Sequence, residues 1–345
     1  MVGKAQTIYL SVANADTSEV AGAAPSWVTL AYIQRQFTEE ESMNYSGVFP
    51  ILATPFNEDG SLDLDSLDRL VGFMADLGVD GITVLGVLGE SNRMQDKERE
   101  ILISRAVAAS KGRTGIIVGA SHPGTQATIG LCRMARDLGA GAVMIAPSAE
   151  PVPNEGRVFE YFQKVADAVT IPIVAQDHPA STQVHMSVPL LLRLIDEIPG
   201  IACIKEEGLP TPVRVAALKQ GMQKRRVPVL TGLGALYGYF DLMAGADGFN
   251  TGFAFPEVLM AIEKAARIGN AEECYCLYAK YLPLIVFEQQ PGVAVRKELL
   301  RMRGLLRTAH VRHPGAGIGE AAARQLREIV ERVLPGVDIT QPIQP

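Results

Sequence analysis

The sequence predicts a (β/α)8 barrel carrying a C-terminal helical appendix. Three observations lead to that fold class. From Val48 onward, short apolar runs rich in strand-forming residues alternate with longer helical patterns, eight runs in all. The runs are apolar on both faces, as parallel strands covered on both sides require. A doubly wound nucleotide-binding sheet is the alternative, and it would want a GxGxxG turn or a GxxxxGK turn followed by Ser or Thr; neither is present.

The eight runs fall at 49–54, 81–86, 115–120, 141–147, 171–176, 201–205, 227–231 and 247–251. Helical periodicity is clear between them at 64–77, 96–110, 126–138 and 159–168. Gly78, Gly112, Gly139 and Gly245 follow helical stretches and supply the residue type that most readily ends a helix. Residues 256–268 fit the eighth barrel helix, and 271–286, 292–303 and 321–333 read as additional helices. The resulting organisation is an extension at 1–44, expected to be loosely attached, then a barrel at 45–269. The C-terminal helices at 270–334 follow, and an irregular tail at 335–345 holds three prolines in eleven residues.

Composition narrows the function classes. The 345 residues are 48% apolar and 20% charged, which suits a soluble globular enzyme and excludes collagen-like or disordered chains. The 32 basic residues fall short of the 38 acidic ones, giving a net charge of −6, which argues against nucleic acid or an anionic membrane as the main partner. Lys224-Arg225-Arg226, the densest basic cluster, reads as a solvated loop. No apolar run approaches the roughly 18 to 20 residues of a membrane span, and residues 1–44 lack the basic and apolar regions of a secretory signal. Cys132, Cys203, Cys274 and Cys276 form no CxxC pair and read as buried or partly buried thiols in a reducing cytoplasm. The five histidines show neither HxH nor HxxxH spacing, so a metal-dependent aldolase or hydrolase is disfavoured. No metal, nucleotide or flavin cofactor is implied.

In such a barrel the chemistry sits at the C-terminal ends of the strands. That rule selects Gly89-Glu90-Ser91 after the second run, Ser121 and His122 after the third, and Ser148 and Glu150 after the fourth. It also selects Gln176-Asp177-His178 after the fifth, Lys205-Glu206-Glu207 at the sixth, and Asn250 at the eighth. Lys205 is the most informative. Its stem follows Ile201-Ala202-Cys203-Ile204, and desolvation in that setting lowers the pKa of an amine as a Schiff-base nucleophile requires. The same position also suits a lysine held in an ion pair with Glu206 or Glu207. Gly89-Glu90-Ser91 reads either as a carboxylate cradle of backbone N–H groups and a hydroxyl, or as a plain strand-to-helix turn that Glu90 orients. His178 beside Asp177 makes no triad, and no GxSxG elbow exists. Tyr237 and Tyr239 read as packing residues.

At these residues the chain resembles the dihydrodipicolinate synthase / N-acetylneuraminate lyase family of Schiff-base barrels, from about residue 45 to 334. The likeness is carried by Gly47-Val48-Phe49-Pro50 with Thr54-Pro55-Phe56, the GxxGES turn at 86–91, the strand at 171–174 and Ile204-Lys205-Glu206. It implies that Lys205 is the Schiff-base lysine and that Gly89, Glu90 and Ser91 form the carboxylate-binding turn. Three departures bear on activity. Gln176 stands where the synthase and the lyase carry a catalytic tyrosine, and Val87 and Leu88 stand where the synthase has paired threonines. Ser181 matches the synthase's aldehyde-binding arginine. These losses argue against the lysine-biosynthetic condensation.

A closer resemblance is to the subgroup containing L-2-keto-3-deoxyarabonate dehydratase. It rests on Gln176-Asp177-His178-Pro179-Ala180-Ser181, the Ser121-His122 turn running to Gln126, Leu282-Pro283-Leu284-Ile285 and Arg312-His313-Pro314. The subgroup's Lys-Ile-Glu is Lys205-Glu206-Glu207 here. The resemblance implies a hydro-lyase acting on a small 2-keto-3-deoxy acid. Lys205 would form the iminium, Glu90 and Ser91 would orient the carboxylate, and Gln176, His178, Ser148 and Asn250 would contact hydroxyls. His122 or Glu90 would move the proton that a tyrosine otherwise relays. The alternatives are a pyruvate-dependent aldolase, a synthase-like condensation, and a non-catalytic keto-acid-binding protein. A homo-oligomer, tetramer or dimer, is also what the resemblance implies.

Overall fold

Period-two alternation along each strand divides its side chains between the inside of a barrel and a surrounding helical layer. A computed structural model describes residues 43–148, 154–290 and 292–345. In it β1 (Gly47–Pro50), β2 (Gly81–Val84), β3 (Gly115–Gly119), β4 (Ala142–Ile145), β5 (Ile173–Asp177), β6 (Ile201–Glu206), β7 (Val229–Thr231) and β8 (Gly248–Thr251) pair in parallel around a barrel. The hydrogen-bonded order is β1-β8-β7-β6-β5-β4-β3-β2, and a parallel bridge between Ile51 and Thr83 brings β1 to β2. The strands begin and end within four residues of the apolar runs, because the flanking apolar residues continue into buried loops.

The barrel interior is filled by Phe49, Ile117, Ala142, Met144, Val174, Cys203 and Leu230, with Tyr45 stacked on Phe49 beneath them. Gly81 is required there, since a Cβ at that position would stand 2.5 Å from the Phe49 ring. Met43 packs against the same cluster, so the barrel's floor begins before the expected boundary at residue 44. Residues 1–42, the rest of the expected extension, lie outside the described residues, as does Glu150.

The outward strand residues meet α1 (Leu64–Leu77), α2 (Asp96–Ser110), α3 (Thr125–Asp137), α4 (Glu155–Ala168), a short α5 (Pro179–Thr182), α6 (Val188–Glu197), α7 (Thr211–Gly221), α8 (Gly238–Met243) and α9 (Pro256–Arg267). Local signals set their ends. The Asp63 carboxylate accepts from Ser66 N at 3.1 Å at the start of α1, and Gly78 closes it with φ 76°. The appendix is α10 (Ala271–Glu288), α11 (Ala294–Met302) and α12 (Glu320–Val333). Tyr239 of α8 packs on Tyr275 and Tyr278 of α10, with centroids 5.3 and 6.1 Å away.

Buried Arg303, after α11, pairs with Glu257 of α9 at 2.6 Å and donates to Ile339 O at 3.1 Å, fastening appendix and tail to the barrel. Cys132, Cys203 and Cys274 are buried free thiols, whereas Cys276 is exposed, on the solvent side of α10. Among the described residues no helix is long and apolar enough to cross a membrane, and no group of three His, Cys, Asp or Glu side chains is arranged to hold a metal ion.

Candidate active site

Two adjacent strand ends set the charged groups by parity. On β5, Val174 faces the interior, so Gln176 does too and Asp177 faces out. On β6, Cys203 faces the interior, so Lys205 follows it and Glu206 faces out. Gln176 and Lys205 are partners in the β5–β6 register, and so are Asp177 and Glu206.

The outward pair shares one guanidinium. Arg214 of α7 reaches Asp177 Oδ2 at 2.6 Å and Glu206 Oε1 at 3.0 Å, and donates to Met186 O at 2.7 Å. Burial pushes the Glu206 carboxyl up to about 7 and that of Asp177 to about 6, against the pull of Arg214. This cluster fixes the backbone behind Gln176 and Lys205.

Inside the barrel Lys205 is 2% exposed, and its Nζ lies 3.2 Å from Glu207 Oε2. Gln176 Nε2 donates to the same oxygen at 2.6 Å, and Leu233 N donates to Oε1 at 2.9 Å. Gly232 makes room for the carboxylate, since a Cβ there would stand 2.1 Å from Glu207 Oε1. Burial lowers the Lys205 pKa although Glu207 opposes it. Burial alone would raise Glu207, but Lys205, His178, Gln176 and the Leu233 N–H together hold its carboxyl below the usual range. The arrangement therefore sets an amine whose ammonium form burial disfavours beside a carboxylate. His178, partly buried, has its pKa lowered chiefly by burial, and its Nδ1 lies 2.6 Å from Ser181 Oγ.

Across the interior, Asn250 Nδ2 donates to Thr83 Oγ1 at 2.8 Å and to Phe49 O at 3.2 Å, while its buried Oδ1 has no hydrogen-bond partner among the described residues. The turn after β2 uses its own backbone. Gly89 N donates to Gly86 O at 2.9 Å and Gly89 O accepts from Thr54 Oγ1 at 2.6 Å, so Gly89 has no N–H left for a ligand. Ser91 is partly buried beside it.

Glu90 is 2% exposed and engaged away from Lys205. Its carboxylate meets Lys297 Nζ of α11 at 2.5 Å, Arg93 at 2.7 Å and Arg312 N at 3.0 Å. Burial outweighs Glu90 at fully buried Lys297 and brings its pKa down to about 8. Glu90 thus ties the turn to the appendix. Removing one partner of a buried ion pair leaves the other charge uncompensated. Glu90→Ala is accordingly expected to cost about 3–5 kcal/mol in urea unfolding. A loss below about 1 kcal/mol, the size of an exposed pair, would contradict that role.

His122 is exposed, its Nδ1 accepting from Gly124 N at 2.9 Å, and Ser148 is partly buried. They line an open cleft of about 340 Å³ together with Ser121, Ser181 and Gln183. The expected residues therefore divide into an inner group at Lys205, Gln176 and His178, a second at Asn250, and an outer group at His122 and Ser148. From sequence Glu207 is only an alternative ion-pair partner of Lys205; its parity with Cys203 and Lys205 is the signal that turns it inward.

The sequence model of the Dihydrodipicolinate synthetase family matches residues 44–333. An L-2-keto-3-deoxyarabonate dehydratase from Azospirillum brasilense is 34% identical over 305 residues, covering 86% of this chain and 97% of the relative. A 4-hydroxy-tetrahydrodipicolinate synthase from Chlorobium phaeovibrioides is 30% identical over 80% of this chain and 93% of its own length. The crystal structure of dihydrodipicolinate synthase from Rhodopseudomonas palustris superposes with a TM-score of 0.80 at 33% identity, over 84% of this chain and 98% of that one.

Proposed function

The chain belongs to the dihydrodipicolinate synthetase family, and from that premise we propose that it is a Schiff-base lyase that dehydrates a 2-keto-3-deoxy sugar acid. The observation that carries the reading is the buried Lys205–Glu207 pair at the C-terminal end of β6. The dehydratase from Azospirillum brasilense, similar along nearly its whole length, supports the substrate class.

Glu207 takes the proton from Lys205, and the free amine adds to the C2 ketone. Glu207 returns that proton to the carbinolamine hydroxyl, which leaves as water and gives an iminium that makes the C3 hydrogens acidic. Glu207, at 3.2 Å from the nitrogen, is within reach of C3 and removes one of them. The enamine then expels the C4 hydroxyl, which leaves as water after taking that proton. Hydrolysis of the remaining iminium returns the amine and releases the dehydrated keto acid.

Gln176, which donates to Glu207, holds the carboxylate in place of a relay through a phenol. His178 and Asn250 contact substrate hydroxyls, and Ser148 and His122 act at the outer cleft. Glu90 holds the turn, and Ser91 lies at the carboxylate end.

Product analysis tests the reaction. Incubation with 2-keto-3-deoxy-L-arabonate is expected to consume the substrate and yield a keto acid lighter by one water, read by mass spectrometry. Release of pyruvate with an aldehyde would instead make the enzyme an aldolase and sink the dehydratase reading.

A further inference from the structure

Arg296 is one of the buried cations that the steps above do not use. It is 4% exposed, near the start of α11, and its Nε donates to buried Glu288 Oε2 at 2.8 Å. Glu288 in turn accepts from Ala254 N at 3.1 Å, which fixes the pair over the loop leaving β8. The head of Arg296 extends back toward the barrel mouth. Gly252 follows Asn250 by two residues and shares its inward parity. A Cβ on Gly252 would stand 3.1 Å from Arg296 NH1, 2.5 Å from Leu88 Cδ1 and 3.0 Å from Ile51 O. The absence of a side chain at 252 is therefore what lets the guanidinium stand beside the turn after β2.

Among the described residues, Nε makes the only hydrogen bond of this guanidinium, so NH1 and NH2 are uncommitted. The turn itself offers the apolar side chains of Val87 and Leu88 and has spent the N–H of Gly89. An arginine held through Nε presents its NH1–NH2 edge as a planar two-point donor, the geometry that matches a carboxylate.

We propose that Arg296, supplied by the C-terminal appendix, binds the carboxylate of the keto-acid substrate at the barrel mouth. The inference rests on the reading of that mouth as a keto-acid site. It makes the appendix part of the binding machinery, with Glu288 positioning the arginine and Gly252 admitting it.

The test compares pyruvate with pyruvamide, its neutral isostere, by borohydride trapping followed as intact mass. Arg296→Gln is expected to raise the half-trapping concentration of pyruvate by about 10- to 100-fold, the range of a lost charge-assisted hydrogen bond. The value for pyruvamide should stay within about twofold, because an amide carries no charge to lose. Glu288→Gln/Arg296→Gln removes both charges together, keeps the buried pair neutral, and should give the same result in a folded protein. An unchanged value for pyruvate, or equal losses for both ligands, overturns the proposal. If the unmodified enzyme traps neither ligand, the Schiff-base reading fails instead. Calorimetric binding of pyruvate to the unmodified and Arg296→Gln proteins then decides the matter: weaker binding by the variant supports the proposal, and equal or undetectable binding by both overturns it.

Discussion

Lys205→Ala is expected to abolish turnover, leaving no step that the remaining residues can perform by another route. In the proposed mechanism the amine is the nucleophile, and among the described residues no other lysine shares its setting. Lys297, also buried, is held by Glu90 at 2.5 Å and donates to His310 O at 2.7 Å. Alanine at 205 also strands the buried Glu207 carboxylate, although Gln176 and Leu233 N still donate to it. Lys205→Gln supplies a neutral donor at the same place and separates the two effects. It should lose turnover equally while recovering part of any stability lost by the alanine variant. Steady-state rates and urea unfolding of both variants check this. Measurable turnover in either one, above a heat-inactivated control, would contradict the role of Lys205.

Glu207→Gln carries the second large effect. Removing a positioned general base costs roughly 10²- to 10⁴-fold in rate, and that loss is expected in kcat with a much smaller change in KM. The pH dependence gives a readout that a structural role would not move. Glu207 stabilises the Lys205 ammonium, so its neutral replacement lowers the lysine pKa further. The acid limb of adduct formation, set by Lys205 losing its proton, should therefore shift to lower pH in the variant. A shift to higher pH, or a kcat within tenfold of the original, would remove Glu207 from the proton transfers.

Much of the architecture is legible in the sequence because it rests on local patterning. Runs buried on both faces and separated by helical periods specify strands and helices one at a time, and their parallel order follows from the connections. The Lys205 signal is equally local, a cation in an apolar strand. What local pattern leaves open is partner choice. Glu206 and Glu207 are alike in composition, and only the parity that turns Cys203 inward assigns Glu207 to Lys205 and Glu206 to Arg214.

Glu90 illustrates the harder case. Its sequence neighbours suggest a ligand-binding turn, yet its partners include Lys297 and the N–H of Arg312, 222 positions away. Such a contact exists only once the appendix has folded onto the barrel. The Arg296–Gly252 approach is of the same kind, since neither residue's neighbours point to the other. The proposed Schiff-base lysine is thus readable from one strand, whereas the turn and the arginine beside it depend on helices that follow the barrel.

In the proposed mechanism Lys205 forms an imine with a 2-keto acid. Intact and peptide mass after borohydride reduction with pyruvate, and separately with 2-keto-3-deoxy acids, tests it most directly. One reduced adduct per chain, mapped to Lys205 and absent from Lys205→Gln, is the predicted result. No adduct with any of these acids, or an adduct mapped to Lys297 or another lysine, would contradict it.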